Sequence, residues 1–293
     1  MLVEKLVNIL FPGKYYKKIK QQYRKTRKKL LPKLSEEKFR EILREELHVK
    51  KGAVVFVHSS LANLNLSFQP YQVLNILLDE VGEEGTILMP CNHLKTRAEE
   101  YLRSGKVFDV RRTPTVMGLL PELARRHKLS FRSLHPTLSV VAIGKYAKEL
   151  TENHHKSKYP FGEESPYFKI ANYNGIIIGL GLETGHCLSF VHCIEDNLKD
   201  KFPVKTQLDE IFTGKTIDYQ GNEISIETLA SHPNSGFRHI TSYIKKYVPN
   251  EIAVDLKIKG TKFFTAKSKD LFIKMNELAL QGITIYTSQV SDK

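Results

Sequence analysis

A histidine and a glutamate stand three residues apart in the second half of the chain, shortly after an apolar run. Residues 175–179 predict a buried strand, and residues 180–196 after it contain Glu183, His186, His192 and Glu195. If residues 189–196 are helical, His192 and Glu195 share one face, where the carboxylate can orient the imidazole and stabilise its protonated form. The pair therefore predicts a general base.

The same segment also suits roles other than catalysis. A His and a Glu at this spacing often occur by chance, and Cys187 and Cys193 suit core packing as well as nucleophilic or metal chemistry. The spacing of these cysteines and histidines differs from that of a zinc ribbon or finger. We therefore expect no bound metal.

The composition is that of a soluble globular protein. The 293 residues are 41% hydrophobic and 26% charged, which suits one large domain or two modest ones. Three cysteines favour a reducing compartment over a disulfide framework. No convincing secretory signal is present, and no run approaches the roughly 20 apolar residues of a membrane span. We expect a cytoplasmic protein.

The net charge of +13 is concentrated near the start of the chain. Residues 14–33 contain ten Lys or Arg and no acid, and Glu4 cancels Lys5, so that residues 34–293 carry only +3. We therefore divide the chain into a basic arm, residues 1–34, and a single domain, residues 35–293. The apolar start of the arm suits contact of residues 1–33 with an anionic membrane surface, at the inner face of the membrane. A solvated helix, or packing in a homo-oligomer, is the alternative; no nucleic-acid-binding module accompanies the charge.

Strands and helices are predicted to alternate along the domain. Apolar runs at residues 53–57, 86–90, 140–144 and 175–179 predict strands, and residues 69–81 and 116–127 predict amphipathic helices between them. This pattern indicates an α/β fold, a three-layer α/β/α sandwich around a mostly parallel central sheet. Ser35 is the predicted N-cap of a helix ending near residue 47.

The end of the chain is predicted to form a small cap of a hairpin and a helix. Residues 217–226 predict a hairpin around a turn at residues 220–222, and residues 255–264 predict one further strand. Residues 268–281 predict a helix. Its inward positions would be Leu271, Met275, Leu278 and Leu280.

Small hydroxyl residues follow the first predicted strand. His58, Ser59, Ser60 and Leu61 lie at its carboxyl end, where open α/β sheets place ligands. The next strand ends before Asn92, in a polar stretch, residues 92–112, that we interpret as a loop or lid with a short helix. Residues 113–115 are predicted to cap the following helix. His154 and His155 are predicted to lie in an exposed loop.

Taken together, these blocks resemble the aminoglycoside 3-N-acetyltransferase family, the acetyl-CoA-dependent antibiotic N-acetyltransferases. The resemblance covers roughly residues 52–196, with a weaker match through the later hairpin and helix. The matching blocks are residues 57–61 (VHSSL), 85–90 (GTILMP), 108–109 (FD), 113–115 (TPT), 117–118 (MG), 120–122 (LPE), 132–136 (RSLHP) with Ser139, 160–162 (PFG), 165–166 (SP), and His192 with Glu195. Their order and spacing make the match specific.

The resemblance implies acetyl transfer from acetyl-CoA to a sugar amine, with His192 as the base. It places CoA near residues 58–61 and 113–115, where backbone N–H groups can hold a pyrophosphate or polarise the thioester oxygen. The expected cofactor contacts are His58, Ser59, Ser60, Leu61, Thr113, Thr115 and Ser139; the expected acceptor contacts are Asn92, Asp109 and Glu183. His135 is a second candidate base, unless it is a structural histidine bonded to nearby backbone.

The chain departs from the family pattern beside the expected acceptor pocket, at residues 188–191 and 91–93. Aminoglycosides are polycations, yet only Glu183, Glu195, Asp196 and Asp109 would supply acidic groups there. We therefore predict that the acceptor is an amino sugar linked to a nucleotide or lipid diphosphate, as in surface-polysaccharide synthesis. Aminoglycoside acetylation that confers resistance is the alternative.

Two other classes of function compete with a transferase. A non-catalytic interaction protein recruited to membranes would keep the fold without the chemistry. A hydrolase would use Ser59, His192 and Glu195, but the chain lacks the Gly-x-Ser-x-Gly elbow of such enzymes.

Overall fold

The structure, a computed structural model, describes residue 22, residues 32–236 and residues 238–286. Apart from Gln22 and residues 32–34, the predicted basic arm lies outside the described residues. Among those described, no helix is both long enough and apolar enough to cross a bilayer.

The described part of the domain alternates strands with mostly short helices. The strands are β1 (Val54–Ser59), β2 (Thr86–Pro90), β3 (Val107–Asp109), β4 (Ser130–Arg132), β5 (Val140–Gly144), β6 (Ile176–Leu180), β7 (Phe212–Ile217), β8 (Glu223–Thr228), β9 (Ala253–Ile258) and β10 (Thr261–Lys267). The helices are α1 (Glu36–Glu41), α2 (Gln72–Val81), α3 (Ala98–Arg103), α4 (Leu119–Arg126), α5 (Ala147–Thr151), α6 (Pro166–Lys169), α7 (Thr184–Cys187), α8 (His192–Leu198), α9 (Ile240–Tyr247) and α10 (Ser268–Leu280).

Seven strands form one mixed sheet in the order β4-β5-β2-β1-β6-β10-β9. The central strands β2, β1 and β6 are parallel, whereas the outer pairings are antiparallel. The prediction of an α/β fold is confirmed, and parallel pairing is restricted to the three central strands. Strands β3, β7 and β8 form a separate sheet, which contains the predicted hairpin.

The elements predicted as a C-terminal cap belong in part to the main sheet. The single strand predicted over residues 255–264 is wrong, because two strands, β9 and β10, meet at a tight turn. Lys259 and Gly260 both have positive φ, 49° and 78°, as a two-residue hairpin turn requires. Strand β10 pairs with β6, so this hairpin extends the sheet.

Apolar side chains cover both faces of the sheet. Alternate residues of β1 point to opposite faces, so Val54 and Phe56 join one hydrophobic cluster while Val55 and Val57 join the other. Helices α5, α6, α8, α9 and α10 contribute to the first cluster. Helices α1, α2 and α4 contribute to the second.

The helices agree with the sequence predictions in part, and α2 begins at Gln72, three residues later than expected. Ser35 caps α1 as predicted, since Lys38 N–H donates to its Oγ at 3.2 Å. Helix α4 begins at Leu119, after the positive-φ residue Gly118, three residues later than expected. Helix α10 buries Leu271 as predicted, but Leu280 is 66% exposed and was wrongly placed inward. The polar stretch at residues 92–112 contains a strand, β3, as well as a helix.

A tyrosine side chain binds the backbone of the edge strand β4. Tyr219 Oη accepts from Arg132 N–H at 2.5 Å and donates to Arg132 O at 3.0 Å. Tyr219 comes from the turn between β7 and β8, so this contact also joins the small sheet to the large one.

Candidate active site

The loops that follow β1 and β6 meet at one edge of the sheet. Ser59 pairs with Leu180 in parallel register, and Ser60 N–H donates to Leu180 O at 2.8 Å. Asn63 Nδ2 donates to Gly181 O at 2.8 Å. Gly181 has a φ of 74°, and a Cβ there would lie 2.6 Å from Ser60 O. The predicted ligand loop therefore contacts the segment that leads to His192.

Strand β9 fixes the start of the segment that carries the histidine. Thr184, the first residue of α7, donates its N–H and its hydroxyl to the two carboxylate oxygens of Asp255, each at 2.8 Å. A 3₁₀ turn, Ser189–Val191, then leads into α8 at His192. The predicted helix at residues 189–196 is thus a 3₁₀ turn followed by an α-helix.

The buried residues His192 and Glu195 and the half-buried Tyr286 form a hydrogen-bonded chain. His192 Nδ1 lies 2.7 Å from Glu195 Oε1, and Tyr286 Oη donates to the same oxygen at 2.8 Å. Burial and the charge of Glu195 raise the pKa of Tyr286, which therefore remains a donor. A carboxylate accepts hydrogen bonds, so Nδ1 carries the hydrogen and Nε2 keeps its lone pair. This tautomer is the one a general base requires.

An arginine contacts the other ring nitrogen of the same histidine. Arg238 Nη1 contacts His192 Nε2. A guanidinium group can only donate, so this contact also assigns the lone pair of His192 to Nε2. The side chain of Arg238 is itself exposed.

A phenylalanine packs on the histidine ring from the loop before α6. The rings of Phe161 and His192 lie 5.0 Å apart. Phe161 N–H donates to Asp196 Oδ2 at 2.7 Å, and Gln207 Nε2 donates to Asp196 Oδ1 at 2.9 Å. Burial raises the pKa of Asp196 to about 6. Asp196 therefore fixes the position of the loop beside the base.

His154 is buried, so its prediction as an exposed loop residue is wrong. Its side chain is 0% exposed, with Ser133 Oγ 2.9 Å from Nδ1 and Pro160 O 2.8 Å from Nε2. Burial lowers its pKa to about 3, so the ring is neutral. The residues around His154 in the sequence are polar and gave no sign that it is buried, because its hydrogen-bond partners are Ser133 and Pro160.

His135 also lies in the interior and does not contact His192. Its ring stacks on His154 at 4.6 Å. Its Nδ1 accepts from the backbone N–H groups of Thr137 and Leu138 at 3.3 and 3.2 Å, and its Nε2 lies 3.2 Å from Thr228 Oγ1. Burial lowers its pKa well below the ordinary value. Both ring nitrogens thus have internal partners, as the structural alternative for His135 expects.

A buried arginine binds several of the predicted cofactor residues. Arg132 is 2% exposed; it donates to Ser139 Oγ at 3.1 Å and to Thr113 O at 2.6 Å, and it contacts Cys91 O. Ser139 in turn donates to Cys91 O at 2.9 Å. The guanidinium lies 4.6 Å from the ring centre of Phe108. The structure therefore uses the hydroxyl of Ser139 and the carbonyl of Thr113 internally.

Asp109 and Thr115 organise turns next to this arginine. Asp109 Oδ1 accepts from the N–H groups of residues 111 and 112, each at 2.9 Å. Thr115 Oγ1 donates to Asn92 O at 2.7 Å. Asn92 Oδ1 is buried and has no hydrogen-bond partner among the described residues. Asn92 follows β2, so it lies at the same sheet edge as Ser59.

Three further predicted residues lie at this edge. His58 is 3% exposed, next to the rings of Phe56 and Phe264, and burial lowers its pKa to about 3. Glu183 forms a salt bridge with Lys262 at 2.5 Å. Leu61 is half-buried and begins a 3₁₀ turn, Leu61–Asn63.

A cavity of about 450 Å³ lies beside Glu195 and Asp196. Its walls include Lys158, Lys199 and Gln207, and its size is that of a small-molecule site. In the described part of the chain, no three His, Cys, Asp or Glu side chains are placed to hold a metal ion.

The spacing of His192 and Glu195 predicted their contact, but it gave no sign of their other partners. Tyr286 lies 91 residues from Glu195, and Arg238 lies 46 residues from His192. Neither stands in a motif. Only the pairing of β10 with β6 and the packing of α9 and α10 bring them to the site.

The chain matches one family model and several curated proteins. The model of aminoglycoside 3-N-acetyltransferase matches residues 56–278. The SPbeta prophage-derived aminoglycoside N(3')-acetyltransferase-like protein YokD of Bacillus subtilis is 32% identical over 47% of this chain and 56% of its own length. Aminoglycoside N(3)-acetyltransferase IX of Micromonospora chalcea is 25% identical over 54% of this chain and 61% of its own length. The matches thus span little more than half of these relatives.

Solved structures show the same fold. The aminoglycoside acetyltransferase AAC(3)-Xa has a TM-score of 0.69 and 20% identity, over 84% of this chain and 93% of that one. AAC-IIIb, solved as a binary complex with CoASH, has a TM-score of 0.69 and 18% identity, over 86% of this chain and 98% of that one. Because the family model covers well over half of the residues, this chain belongs to the aminoglycoside 3-N-acetyltransferase family.

Proposed function

We propose that this protein transfers the acetyl group of acetyl-CoA to an amino group of an amino sugar, with His192 as general base. The hydrogen-bonded chain Tyr286–Glu195–His192 carries this proposal, because it leaves the lone pair on Nε2. The amine nitrogen attacks the thioester carbon while Nε2 takes its proton. The C–S bond then breaks, and the same proton passes from Nε2 to the CoA thiolate.

The loop at residues 58–61 is the proposed cofactor contact. Ser59, Ser60 and Leu61 are half-buried at the carboxyl ends of the parallel strands. His58, Ser139, Thr113 and Thr115 would support the adjoining backbone through the internal contacts described above. A solved structure with the same fold, AAC-IIIb, is a binary complex with CoASH, which supports CoA as the ligand of the protein.

The cavity beside Glu195 is the proposed acceptor pocket. Asn92, Asp109 and Glu183 are not among its walls and are proposed as further acceptor contacts. The names of the relatives favour an aminoglycoside as the acceptor. One observation favours a phosphate-bearing amino sugar, such as a nucleotide- or lipid-linked one. Lys158 and Lys199 lie 5.6 and 5.2 Å from the Tyr159 ring, and neither forms a salt bridge with a described carboxylate.

The test is an acceptor panel with thiol release as the readout. Purified protein and acetyl-CoA would be mixed with sisomicin, glucosamine or a nucleotide-linked amino sugar, and His192→Ala would be compared with the unsubstituted protein. We expect turnover that falls by about 10²–10⁴ in the variant, with CoA binding retained in calorimetry. CoA binding by neither protein, or equal rates in both, would contradict the proposal.

The competing classes make different predictions. A hydrolase would need an activated Ser59, but Ser59 ends a strand and is followed by a 3₁₀ turn, so the sharp strand-to-helix elbow is missing. Labelling of Ser59 by a fluorophosphonate would support the hydrolase. A non-catalytic protein would show no thiol release with any acceptor.

Co-sedimentation with anionic vesicles, with and without residues 1–31, tests the membrane contact of the arm. Light scattering tests whether the protein forms a homo-oligomer.

A further inference from the structure

An exposed arginine stands at the nitrogen that must receive the proton of the amine. We propose that Arg238 is a catalytic residue, which stabilises the oxyanion that forms on the thioester carbonyl during transfer. The inference rests on the proposed function. His192 and Glu195 supply the base, and Arg238 would supply the group that binds the oxyanion.

Arg238 lies against the ring nitrogen of His192 that would accept the proton. Its Nη1 contacts His192 Nε2, the ring nitrogen that carries the lone pair. An amine that transfers its proton to Nε2 must lie within hydrogen-bond reach of it, and the carbon that the amine attacks lies one bond further away. The carbonyl oxygen therefore develops its charge within the neighbourhood of the guanidinium.

No carboxylate in the described part of the chain neutralises the charge of Arg238. Among the residues that the structure describes, no Asp or Glu forms a salt bridge with it, and Glu195 is bound to His192 Nδ1 and Tyr286 instead. A guanidinium stays protonated at any pH at which the protein is folded. The site thus holds a cation at the base that no described carboxylate pairs with, so that an anionic group of a ligand can bind it.

The oxyanion that forms during acetyl transfer is such an anionic group. In the first step the C–N bond forms, the carbonyl electrons move onto oxygen, and the amine proton moves to Nε2. An imidazolium repels the guanidinium in contact with it, while the new oxyanion attracts it. In the second step the oxyanion restores the C=O bond, the C–S bond breaks, and Nε2 returns the proton to the thiolate. Arg238 keeps its own protons throughout.

A binding role would give a different kinetic result. If Arg238 only held a phosphate of CoA, its removal would raise the dissociation constant of CoA and leave kcat unchanged. If it only covered the base, its removal would leave kcat the same or higher. Stabilisation of the oxyanion acts in the transition state, so its loss lowers kcat while CoA binding persists.

The experiment compares Arg238→Ala, Arg238→Lys and, as a matched control, Lys245→Ala, which removes an exposed cation from α9. Turnover of the best acceptor is measured by thiol release, and CoA affinity is measured by calorimetry. We expect kcat to fall by about 10²–10³ in Arg238→Ala and by less in Arg238→Lys. CoA affinity should stay within about threefold, and Lys245→Ala should match the unsubstituted protein. Added guanidinium ion should restore part of the activity of Arg238→Ala but none of that of His192→Ala.

Two outcomes would overturn the inference while the proposed function stands. One is a kcat for Arg238→Ala within about threefold of the unsubstituted protein. The other is a loss confined to CoA affinity. If the unsubstituted protein transfers no acetyl group to any acceptor, the proposed function fails, and this inference fails with it. Retained CoA binding by Arg238→Ala shows that the variant is folded.

Discussion

Tyr286 donates its hydrogen bond to Oε1 of Glu195, the same carboxylate oxygen that binds His192. Two donors on one oxygen restrict the movement of the carboxylate beside the imidazole. The residue that orients the base is therefore itself oriented by a side chain 91 positions later in the sequence.

Removal of the Tyr286 hydroxyl should affect catalysis more than removal of another hydrogen-bonded tyrosine hydroxyl does. We expect Tyr286→Phe to lower kcat several-fold and the free energy of unfolding by about 1 kcal/mol. Tyr219→Phe is the matched control, because it removes a hydroxyl bound to Arg132 backbone and should cost similar stability without the loss of kcat. Urea unfolding and thiol release measure the two quantities. Equal kcat in both variants would contradict the orienting role of Tyr286.

Asp196→Asn should stabilise the protein at neutral and alkaline pH. Asp196 has a folded pKa of about 6 against an ordinary 3.8, so its burial costs stability as the pH rises through this window, by about 1–3 kcal/mol. Asparagine keeps an acceptor for Phe161 N–H, and its amide can donate to Gln207 Oε1, which is buried without a described partner. We expect a gain in unfolding free energy at pH 8 that vanishes below pH 4. A variant less stable at pH 8 than at pH 4, relative to the unsubstituted protein, would contradict this.

Buried neutral histidines should make the fold sensitive to acid. His154 has a folded pKa of about 3, below its ordinary 6.5, so its contribution to stability is complete above pH 6.5 and is lost as the pH falls towards 3. Each such histidine adds about 1.4 kcal/mol per pH unit to the slope within this window. We expect His154→Gln to reduce the slope of unfolding free energy between pH 6 and 4 by about that amount.

The matched control for this slope is Ser133→Ala. It removes the hydroxyl 2.9 Å from His154 Nδ1 but leaves the titrating ring in place. Stability should fall while the slope stays close to that of the unsubstituted protein. Unchanged slopes in both variants would show that His154 does not titrate as its burial implies.

Two leucines of α10 should differ sharply in their contribution to stability. Leu271 is fully buried, whereas Leu280 is 66% exposed. We expect Leu271→Ala to lower the free energy of unfolding by about 2–5 kcal/mol and Leu280→Ala by less than about 0.5 kcal/mol. Chemical denaturation of both variants measures this, and similar losses would contradict the packing of this helix.

The parts of the fold that the sequence predicts are those encoded by local patterns. The apolar runs of β1, β2, β5 and β6 and the N-cap Ser35 depend on neighbouring residues alone, and the structure confirms them. The turn between β9 and β10 was missed because Lys259 adopts a positive φ that lysine does not signal. The pairing of β10 with β6 depends on contacts that no local window contains.

The same distinction accounts for what was predicted of the site. His192 and Glu195 meet because their spacing places them on one turn of helix. Arg238 lies far beyond the helix predicted at residues 189–196, just before α9, and Tyr286 lies after α10. Neither contact could be read from the spacing of His192 and Glu195. His154 was taken for a surface residue, since its burial results from contacts with Ser133, Pro160 and Tyr167, which are distant from it in the sequence or follow it. Periodicity carries no information on such packing.

The bond between Tyr219 and Arg132 has a consequence for how the protein behaves at high concentration. An edge strand presents free N–H and C=O groups that can recruit a strand from another molecule. On β4 one hydroxyl satisfies both backbone groups of Arg132, and the strand is only three residues long. The opposite edge, β9, carries the exposed Lys257, a charged side chain of the kind that disfavours the addition of another strand. Both margins of the sheet are thus protected against edge-to-edge aggregation.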